Sequence, residues 1–539
     1  MGGVRLLALD GAKTIGGSKL LLNYDSTSVL LDFGTNFHNY GVYYEEFLTP
    51  RSVAGLLDFV VMDVLPDARN LYRKDLMHPG LKLKGPEIKG IDAVVISHAH
   101  ADHFGDLGFL RLDVPAVASA MSAAVIKAVA DSARADIGKD YISPTLRKPD
   151  NGSDQFVLAS CTAKEMRECG VCGRDFAVTG DGAGKELYDF WAFSPRIATA
   201  KRPEMAKPHM PGELLRSLDS VKARAYPVDH SVKGACAWVF QTSQGNVIYT
   251  GDLRRHGIRG ELTDDFVRAA RSPRPHVLII EGTRVGRTSG VAVSNEPTTE
   301  KDIVERACDL MAGMKGKFAI ADFGPRNIER LETFLKAARE CHRKMVVTAK
   351  DAYLLHAMHL VDKSVPVPGK DLLIYDCPTI DDESYAVYVK RHAYPRDTVR
   401  PSEVARSPGD FLMAFSFFDL KHLVDIRPSG GHYMYSACEA FSEEQEVDFV
   451  RMGAWLRRFG LEPHGIAYDG DGNPSFPKGP GSLHASGHAS QSDIEWIVRS
   501  LDPEIVVPVH TEHPEWFAQT FGGRQKVIEP KKGEWIEFT

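Results

Sequence analysis

The densest group of metal-ligand side chains in the sequence follows directly after an apolar run. The stretch "IDAVVISHAHADHF" begins at Ile91 and places three histidines and an aspartate within six positions: His98, His100, Asp102 and His103. Burying four such side chains at the end of a strand costs free energy unless something coordinates them. Imidazole and carboxylate ligands without thiolates favour zinc or manganese in a hydrolytic site. The sequence therefore predicts a metal centre at this position.

Five other strand-like segments also end in an acid or a histidine. These residues are Asp32 in "VLLDFG", His230 in "YPVDHS", Asp252 in "NVIYTGD", Glu281 in "HVLIIEG" and His510 in "EIVVPVH". Open α/β folds place their sites at the carboxyl ends of strands, so these side chains are expected to meet. They offer too many ligands for one tetrahedral zinc and suit two ions that share a carboxylate. We expect two Zn²⁺, with Mn²⁺ as the alternative.

The chain as a whole has 539 residues, a length that predicts more than one domain. The apolar share of 43% and the charged share of 25% are ordinary for a globular protein. No apolar run reaches membrane-spanning length, the start lacks a signal-peptide core, and eight scattered cysteines fit reduced thiols, so we expect a cytoplasmic protein without a membrane segment. The net charge of −7 argues against a large non-specific phosphate-binding surface. The segment 326–350 is locally basic, however, with seven Lys or Arg against three Glu.

The coarse pattern of elements suggests how these residues are positioned. Residues 1–35 read as paired strands, 36–90 as long loops, and 91–97 as a strand followed by helical patterning to about 135. Residues 136–220 are the least regular part, and strands return at 224–229, 236–242, 246–250 and 276–280. From about 284 to 478 strands and helices alternate as in a parallel sheet, and 479–539 close with a helix, a strand and a strand-like tail.

The motifs together resemble one known family. "LDFG", "SHAHADH", "DHS" and "TGD" resemble the four motifs of the metallo-β-lactamase fold. Glu281 in "IIEGT", His488 in "SGHAS" and His510 in "PVH" resemble the three signatures of its β-CASP nucleases, above all ribonuclease J and its archaeal relatives. The resemblance implies an α/β fold: a metallo-β-lactamase αββα sandwich with an inserted β-CASP α/β domain. It places the sandwich at 1–283 (with an insertion near 136–220) and 479–539, and the β-CASP domain at 284–478.

The same resemblance implies a role for each motif residue. His98, His100 and His230 would bind one metal, and Asp102, His103 and His510 the second, with Asp252 bridging. Asp32 would hydrogen-bond to a ligand histidine and fix its tautomer. Glu281 and His488 would face the scissile phosphate. Asp102, His488, Glu281 and Asp32 are thus the expected catalytic residues.

Two segments are candidates for phosphate binding on local grounds. Ser490 and Asp493 form a capping box, so His488 lies just ahead of a helix N-terminus, where free N–H groups favour an anion. "DFGPRNIER" marks another helix start after a strand, and there Arg326, Asn327 and Arg330 could hold substrate phosphate. A solvated helix face is the alternative interpretation for the two arginines.

The sequence departs from the family pattern in three places. The spacing from His103 to His230 is 127 residues, which suggests an insertion, and its Cys161, Cys169 and Cys172 could hold a structural zinc with His209 as the fourth ligand. Thr511 stands where the family often has Gly, and the nearby His513 has no assigned role. Because the sequence stops at Thr539, we do not expect the C-terminal domain that bacterial ribonuclease J uses to oligomerise, and a homodimer is one option.

The motifs and the resemblance favour a two-metal ribonuclease that acts on single-stranded RNA. The resemblance to ribonuclease J further implies a 5′→3′ exonuclease with some endonuclease activity, in RNA processing or decay. A histidine at 510 implies RNA, because DNA-directed β-CASP members typically carry valine there. The alternatives are a β-CASP DNA nuclease, a non-nucleolytic hydrolase of the same fold, and an inactive scaffold subunit. A test on RNA and DNA substrates distinguishes the DNA nuclease. Non-nucleolytic hydrolases of this fold lack counterparts to the 195-residue insertion and to His488, and inactive scaffold subunits usually lack metal ligands, so both alternatives fit less well.

Overall fold

A computed structural model describes residues 3–45, 47–134, 136–150, 152, 155–179, 184–286, 298–379, 383–437, 449–477 and 482–538. The strands in chain order are β1 (Val4–Asp10), β2 (Lys19–Tyr24), β3 (Thr27–Leu31), β4 (Ala93–Val95), β5 (Ala116–Ser119), β6 (Arg147–Pro149), β7 (Leu158–Ser160), β8 (Phe176–Thr179), β9 (Leu214–Leu215), β10 (Ala223–Pro227), β11 (Cys236–Thr242), β12 (Gly245–Tyr249), β13 (Val277–Glu281), β14 (Phe318–Asp322), β15 (Lys344–Val347), β16 (Leu372–Tyr375), β17 (Thr398–Val399), β18 (Phe411–Ala414), β19 (Gly431–Tyr435), β20 (Leu461–His464), β21 (Ala467–Tyr468), β22 (Pro474–Ser475), β23 (Ile505–Val509), β24 (Lys526–Val527) and β25 (Trp535–Phe538).

The helices cover the sheets and connect their strands. They are α1 (Phe37–Tyr43), α2 (Leu57–Val61), α3 (Ala101–Phe104), α4 (Ala120–Ser132), α5 (Ala163–Cys169), α6 (Lys185–Ala192), α7 (Pro195–Ala198), α8 (Gly260–Ala270), α9 (Glu300–Gly313), α10 (Ile328–Glu340), α11 (Ala349–Val361), α12 (Ser384–Tyr388), α13 (Pro401–Arg406), α14 (Leu423–Ile426), α15 (Phe449–Phe459), α16 (Gln491–Leu501) and α17 (Glu515–Phe521). Short 3₁₀ turns and one π-helical turn (Val389–Ala393) complete the description.

Two sheets pack face to face around a shared apolar core. The first has the order β25-β1-β2-β3-β4-β5-β8-β9, and the second β10-β11-β12-β13-β23-β24. In β2, Leu20 and Leu22 point into the layer between the sheets, while Leu21 packs against the helices on the other side. Both faces of this strand are apolar because the sheet is covered on both faces. With helices outside each sheet, this arrangement confirms the predicted αββα sandwich.

A third, seven-stranded sheet carries the inserted segment. Its order is β17-β16-β15-β18-β14-β19-β20, and all of its strand pairs are parallel. It lies in sequence between β13 and β23, which are neighbours in the second sheet and pair from Val277↔Ile505 to Glu281↔Val509. The chain therefore leaves the sandwich after β13, builds a separate parallel sheet, and returns to the adjacent position. The predicted boundary at 478 lies outside the described residues.

Three sequence interpretations of the sandwich need correction. The segment 116–119 was expected to be helical but forms β5, because its small and β-branched residues are buried between β4 and β8. The supposed insertion at 136–220 contributes β8 and β9 to the first sheet, so it is partly integral to the sandwich. The loops predicted at 36–90 include the short helices α1 and α2.

Candidate metal centre

The predicted ligands come together where the strands of the sandwich end. Asp32 follows β3, the histidine cluster follows β4, Asp252 follows β12, Glu281 ends β13 and His510 follows β23. Close backbone packing fixes this edge: a Cβ on Gly34 would lie 1.5 Å from the carbonyl oxygen of Asp102, so only glycine fits in "LDFG". Asp32 and His510 themselves adopt positive φ angles of 59° and 50°. Such strained conformations cluster at functional sites.

Three histidines form the first ligand group. His98 Nε2 and His230 Nε2 each lie 3.0 Å from His100 Nδ1. The opposite nitrogen of His230, Nδ1, donates to the Gly487 carbonyl at 2.6 Å, which leaves Nε2 as the ligand atom. Burial lowers the pKa of His100 to about 3 and holds the pKa values of His98 and His230 well below their ordinary value. The neutral imidazole, which is the form that binds metal, is thus favoured at all three positions.

The second ligand group consists of Asp102, His103, Asp252 and His510. His103 Nε2 lies 3.0 Å from Asp252 Oδ2 and 3.4 Å from Asp102 Oδ2, and His510 Nε2 lies 3.2 Å from Asp102 Oδ2. Asp252 also reaches the first group, since its Oδ2 lies 3.7 Å from His98 Nε2. His510 Nε2 accepts a hydrogen bond from the Gly16 N–H at 2.9 Å, a contact that a bound ion would replace.

The residues in this second group fit a divalent cation. Asp102 Oδ1, His103 Nε2 and both oxygens of Asp252 are buried without a hydrogen-bond partner among the described residues. Burial disfavours a charged His103, yet Asp252, Asp102 and Asp32 outweigh this effect and raise the pKa of His103 well above its ordinary value. Buried carboxylates that attract a proton this strongly form a site for positive charge. Nitrogen and oxygen donors without sulfur suit zinc or manganese.

Asp32 lies where it can orient one of these ligands, which is the role that the family resemblance implies for it. Its carboxylate accepts hydrogen bonds from His103 Nδ1 (2.7 Å), the Ser97 N–H and hydroxyl (2.7 Å each) and the Tyr249 hydroxyl (2.6 Å). The proton of His103 is thereby held on Nδ1, and Nε2 is directed at Asp102 and Asp252. Ser97 and Tyr249 were not identified from the sequence, although Ser97 opens the "SHAHADH" motif, because their shared partner Asp32 is distant in the chain.

We expect Asp32→Asn to weaken metal binding by about 10–100-fold, the usual cost of losing a partner that orients a metal ligand. An amide has one acceptor oxygen and cannot accept all four of these hydrogen bonds. The affinity for zinc is measured by competition with a chromogenic chelator. Asp25→Asn is the matched control, since the Asp25 carboxylate lies on the exposed β2–β3 turn and accepts only from Ser243 among the bonds described for it. Equal zinc affinities for the two variants would contradict the role of Asp32.

Glu281 and His488 lie beside the second ligand group and are coupled to each other. His488 Nδ1 lies 3.1 Å from Glu281 Oε2, and Glu281 Oε1 accepts from the Leu253 N–H at 2.9 Å. Thr283, a residue not identified from the sequence, donates to Glu281 at 2.7 Å and lies within hydrogen-bond distance of the Nδ1 atoms of His488 and His510. Its position in "IIEGT", two residues after Glu281, is the sequence feature that could have identified Thr283 as part of the site. Asp252, Glu281, His488 and His510 also form a group whose potential ligand atoms all lie within 4.8 Å of one another.

The three candidate phosphate-binding residues at the start of α10 differ in their positions and contacts. Arg326 donates to the Ala99 carbonyl inside the histidine motif at 2.7 Å, which places it next to the centre. Asn327 caps α10, because its side chain accepts from the Arg330 N–H. The prediction that Arg330 binds substrate is wrong: its guanidinium is 1% exposed and bonds to Glu300, Ser436 and the Leu483 carbonyl. A solvated helix face is equally wrong for Arg330.

Arg330 belongs to a buried charge network between the inserted domain and the sandwich. Arg254, two residues after Asp252, pairs with Asp229 at 3.3 Å, with Glu300 at 3.2 Å and with Glu329 at 2.6 Å. Arg330 shares Glu300 with it at 3.1 Å. Both arginine side chains are buried at 0–1% exposure. The network thus joins β14–α10 to the segments that carry His230 and Asp252.

The prediction of a structural zinc in 161–172 is not supported. Among the residues that the structure describes, no metal-ligand cluster includes Cys161, Cys169, Cys172 or His209. Cys161 is buried, whereas Cys169 and Cys172 are exposed at the end of α5. His209 instead contacts the Trp191 carbonyl at 3.2 Å. The "CxxC" spacing here belongs to a helix end capped by Gly170 rather than to a zinc site.

Comparisons with known proteins agree with this geometry. A profile described as the beta-lactamase superfamily domain matches residues 59–164, and one described as the Zn-dependent metallo-hydrolase RNA specificity domain matches residues 482–526. The first match includes the histidine cluster, and the second includes His488 and His510. The chain is therefore similar to the beta-lactamase superfamily around its histidine cluster and to RNA-specific metallo-hydrolases around His488 and His510.

Similar curated proteins are ribonucleases of the J type. Ribonuclease J2 of Bacillus subtilis is 23% identical over 335 residues, covering 60% of this chain and 53% of that protein. Ribonuclease J 2 of Streptococcus pyogenes is 21% identical over 292 residues, covering 53% and 46%. Ribonuclease J of Sinorhizobium meliloti is 22% identical over 357 residues, covering 62% and 55%. The chain spans about half the length of these relatives, and it resembles them as the sequence motifs predicted.

A solved structure supports the fold over the whole chain. A protein of unknown function from Enterococcus faecalis V583 superposes with a TM-score of 0.66 at 18% identity, covering 99% of this chain and 100% of that one. This likeness shows the fold alone. Among the described helices of this chain, none is both long and apolar enough to cross a membrane.

Proposed function

We propose that this protein is a metal-dependent ribonuclease that hydrolyses RNA phosphodiester bonds with two zinc ions, or two manganese ions. The observation that carries the proposal is the convergence of seven predicted ligands into two groups with Asp252 between them. Two such groups suit a pair of ions that act on both sides of a phosphate in an in-line displacement. The match to an RNA specificity domain over 482–526 and the ribonuclease J relatives support RNA as the substrate class.

The chain's own residues hold the centre and position the substrate. When bound, the metal ions supply Lewis-acid stabilisation of phosphate charge and acidify water. His98, His100 and His230 bind on one side, and Asp102, His103 and His510 on the other. Glu281 and Thr283 hold His488 by its Nδ1, so that Nε2 is the atom we assign to a phosphate oxygen. A fixed hydrogen-bond donor of this kind stabilises the charge that develops in the transition state.

Arg326 is the residue we assign to the phosphate of a neighbouring nucleotide. Its contact to Ala99 places the guanidinium beside the histidine motif, and it acts electrostatically on His100. Several further properties remain predictions. They are the domain boundaries at 283 and 478, the 5′→3′ direction with some endonucleolytic cutting, a role in RNA processing or decay, the cytoplasmic location and the homodimer. They come from the sequence and its resemblance to ribonuclease J.

We expect cleavage of single-stranded RNA at least about fivefold faster than of DNA with the same base sequence, because one lost hydrogen bond to a 2′-hydroxyl costs about 1 kcal/mol or more. The substrates are matched RNA and DNA strands labelled at the 5′ end. Early release of labelled mononucleotide from RNA would support the 5′→3′ direction as well. A chimeric RNA with one deoxynucleotide at the cleaved position tests whether the protein contacts the 2′-hydroxyl of that nucleotide.

His103→Ala protein, purified in parallel, is the control for contaminating nucleases, because it keeps the fold's surface but loses a metal ligand. Equal or faster cleavage of DNA would assign the protein to the DNA-nuclease alternative. A lack of cleavage of either polymer, with both metals bound, would favour a non-nucleolytic hydrolase or a scaffold.

A further inference from the structure

A second group of potential metal ligands lies in the seven-stranded sheet, apart from the centre described above. It consists of His432, Glu462 and His464, whose ligand atoms all lie within 4.8 Å of one another. His432 is on β19, and Glu462 and His464 are on the neighbouring strand β20, at the end of the strand order. The catalytic proposal uses none of these residues.

The strand register explains why the three side chains meet. His432 is the direct pairing partner of Glu462, and Met434 is that of His464. Glu462 and His464 are two residues apart on one strand and therefore face the same side of the sheet as His432. His432 is buried, His464 is partly buried, and the Glu462 side chain is 65% exposed. One side of the group is thus anchored in the sheet while the other is open to solvent.

The distances match the edges of a metal coordination polyhedron. His432 Nδ1 lies 3.1 Å from His464 Nε2 and 3.4 Å from Glu462 Oε2. Ligands about 2.0–2.1 Å from a tetrahedral zinc are separated by about 3.3 Å. Hydrogen bonds alone satisfy these atoms less completely, because a single proton on His432 Nδ1 would have to be shared between His464 Nε2 and Glu462 Oε2. A cation at the centre of the group would satisfy all three atoms together.

The surroundings leave room for a further ligand. A cavity of about 500 Å³ opens beside His464 and is lined by Asp309, Leu310 and Gly465, among others. Three protein ligands with an open position are a common zinc arrangement. Lys317 and Arg343 act electrostatically on His432, and the Glu462 carboxylate offsets their positive charge at this position.

We propose that His432, Glu462 and His464 form a divalent transition-metal site, with zinc as the preferred ion, that joins the outermost strand β20 to β19. Two imidazoles and one carboxylate favour zinc over magnesium or calcium, which prefer oxygen ligands alone. The site is independent of the proposed nuclease function: it lies in the inserted domain, and its metal would cross-link β20 to β19, the one strand beside β20 in the described sheet.

The test is a count of zinc per chain after equilibrium dialysis at buffered free zinc. The reference protein is His103→Ala/Asp252→Ala, in which the catalytic centre is disrupted. We expect His464→Ala in this background to lose about one further zinc ion per chain. Cobalt added to the reference protein should give the visible absorption bands of low-coordinate nitrogen and oxygen sites, and the share of this absorption that belongs to one cobalt ion per chain should be absent in His464→Ala, while any share from the remaining His98, His100 and His230 group is unchanged. His392→Ala, which removes an exposed histidine of the same domain, is the matched control.

Glu462→Gln gives a second variant that keeps the size of the side chain, so loss of zinc cannot be ascribed to loss of fold. Circular dichroism checks that each variant is folded. Equal zinc counts and cobalt spectra with and without His464 and the Glu462 carboxylate would overturn the proposal and leave a hydrogen-bonded histidine pair. Because His464→Ala alone is expected to cleave RNA at the wild-type rate, failure of this site and failure of the ribonuclease proposal give different results.

Discussion

Replacing His103 by Ala is expected to abolish both metal binding in the second ligand group and cleavage of RNA. His103 Nε2 lies between the two carboxylates, 3.0 Å from Asp252 and 3.4 Å from Asp102, and has no other partner among the described residues. Without this imidazole the group lacks one of its ligand atoms, so a cation between the two carboxylates is incompletely coordinated. The rate constant should fall by about 10³-fold or more, since loss of even one donor to the transition state costs about 10²–10³-fold.

Single-turnover cleavage and metal analysis of the same preparations measure both effects. Asp102→Ala should behave in the same way, because it removes a ligand of the same ion. His513→Ala is the matched control: His513 follows His510 by three residues but is partly exposed and bonds to Glu515. A His103→Ala protein with wild-type metal content and wild-type rate would show that this group is not a metal site.

Replacing His488 by Ala is expected to leave the metal content unchanged and to lower the cleavage rate by about 10²-fold or more, the usual scale for a positioned proton donor or oxyanion contact. His488 contacts Glu281 and Thr283 through Nδ1 rather than completing either of the two ligand groups. The measurement combines metal analysis with the rate constant at saturating RNA.

This experiment also decides between two roles for His488. The potential ligand atoms of Asp252, Glu281, His488 and His510 all lie within 4.8 Å of one another, so His488 could instead bind an ion. Loss of one ion in His488→Ala would establish that role and contradict a phosphate contact. His488→Gln, which retains a side-chain hydrogen-bond donor, should recover part of the rate under our assignment. A near wild-type rate in His488→Ala would refute both roles.

The ligand set could be predicted from the sequence because its signals are local. His98, His100, Asp102 and His103 stand within six residues at a strand end, and topology then brings His230, Asp252 and His510 to the same edge. The sandwich and the parallel sheet were predictable for a similar reason, since strand and helix periodicities are read over short windows.

The supporting residues could not be predicted, because their roles depend on distant contacts. Tyr249 is an ordinary strand residue until its hydroxyl meets Asp32 from 217 positions away. Arg330 reads as a surface arginine at the start of a helix, yet its partners come from segments as far as 153 residues away. β5 was missed because four residues give too little periodicity to distinguish a strand from a helix.

The same limit applies to the paired histidines of the third sheet. His432 and His464 are 32 residues apart, and only the parallel register of β19 and β20 makes them neighbours. The opposite error occurred at Cys169 and Cys172. There the local spacing resembled half of a zinc site, but within the described ranges no metal-ligand group includes either cysteine.

The buried network of Arg254 and Arg330 has a consequence for work at different ionic strengths. Dissolved ions screen charges that are exposed to water and have much less effect on buried pairs. Arg254, Arg330 and Glu300 are buried, so added salt should leave the attachment of the inserted domain intact. Binding of a polyanion, in contrast, weakens steeply as salt displaces its contacts to Lys and Arg. A fall in RNA cleavage between low and high salt would therefore report the number of phosphate contacts rather than separation of the two domains.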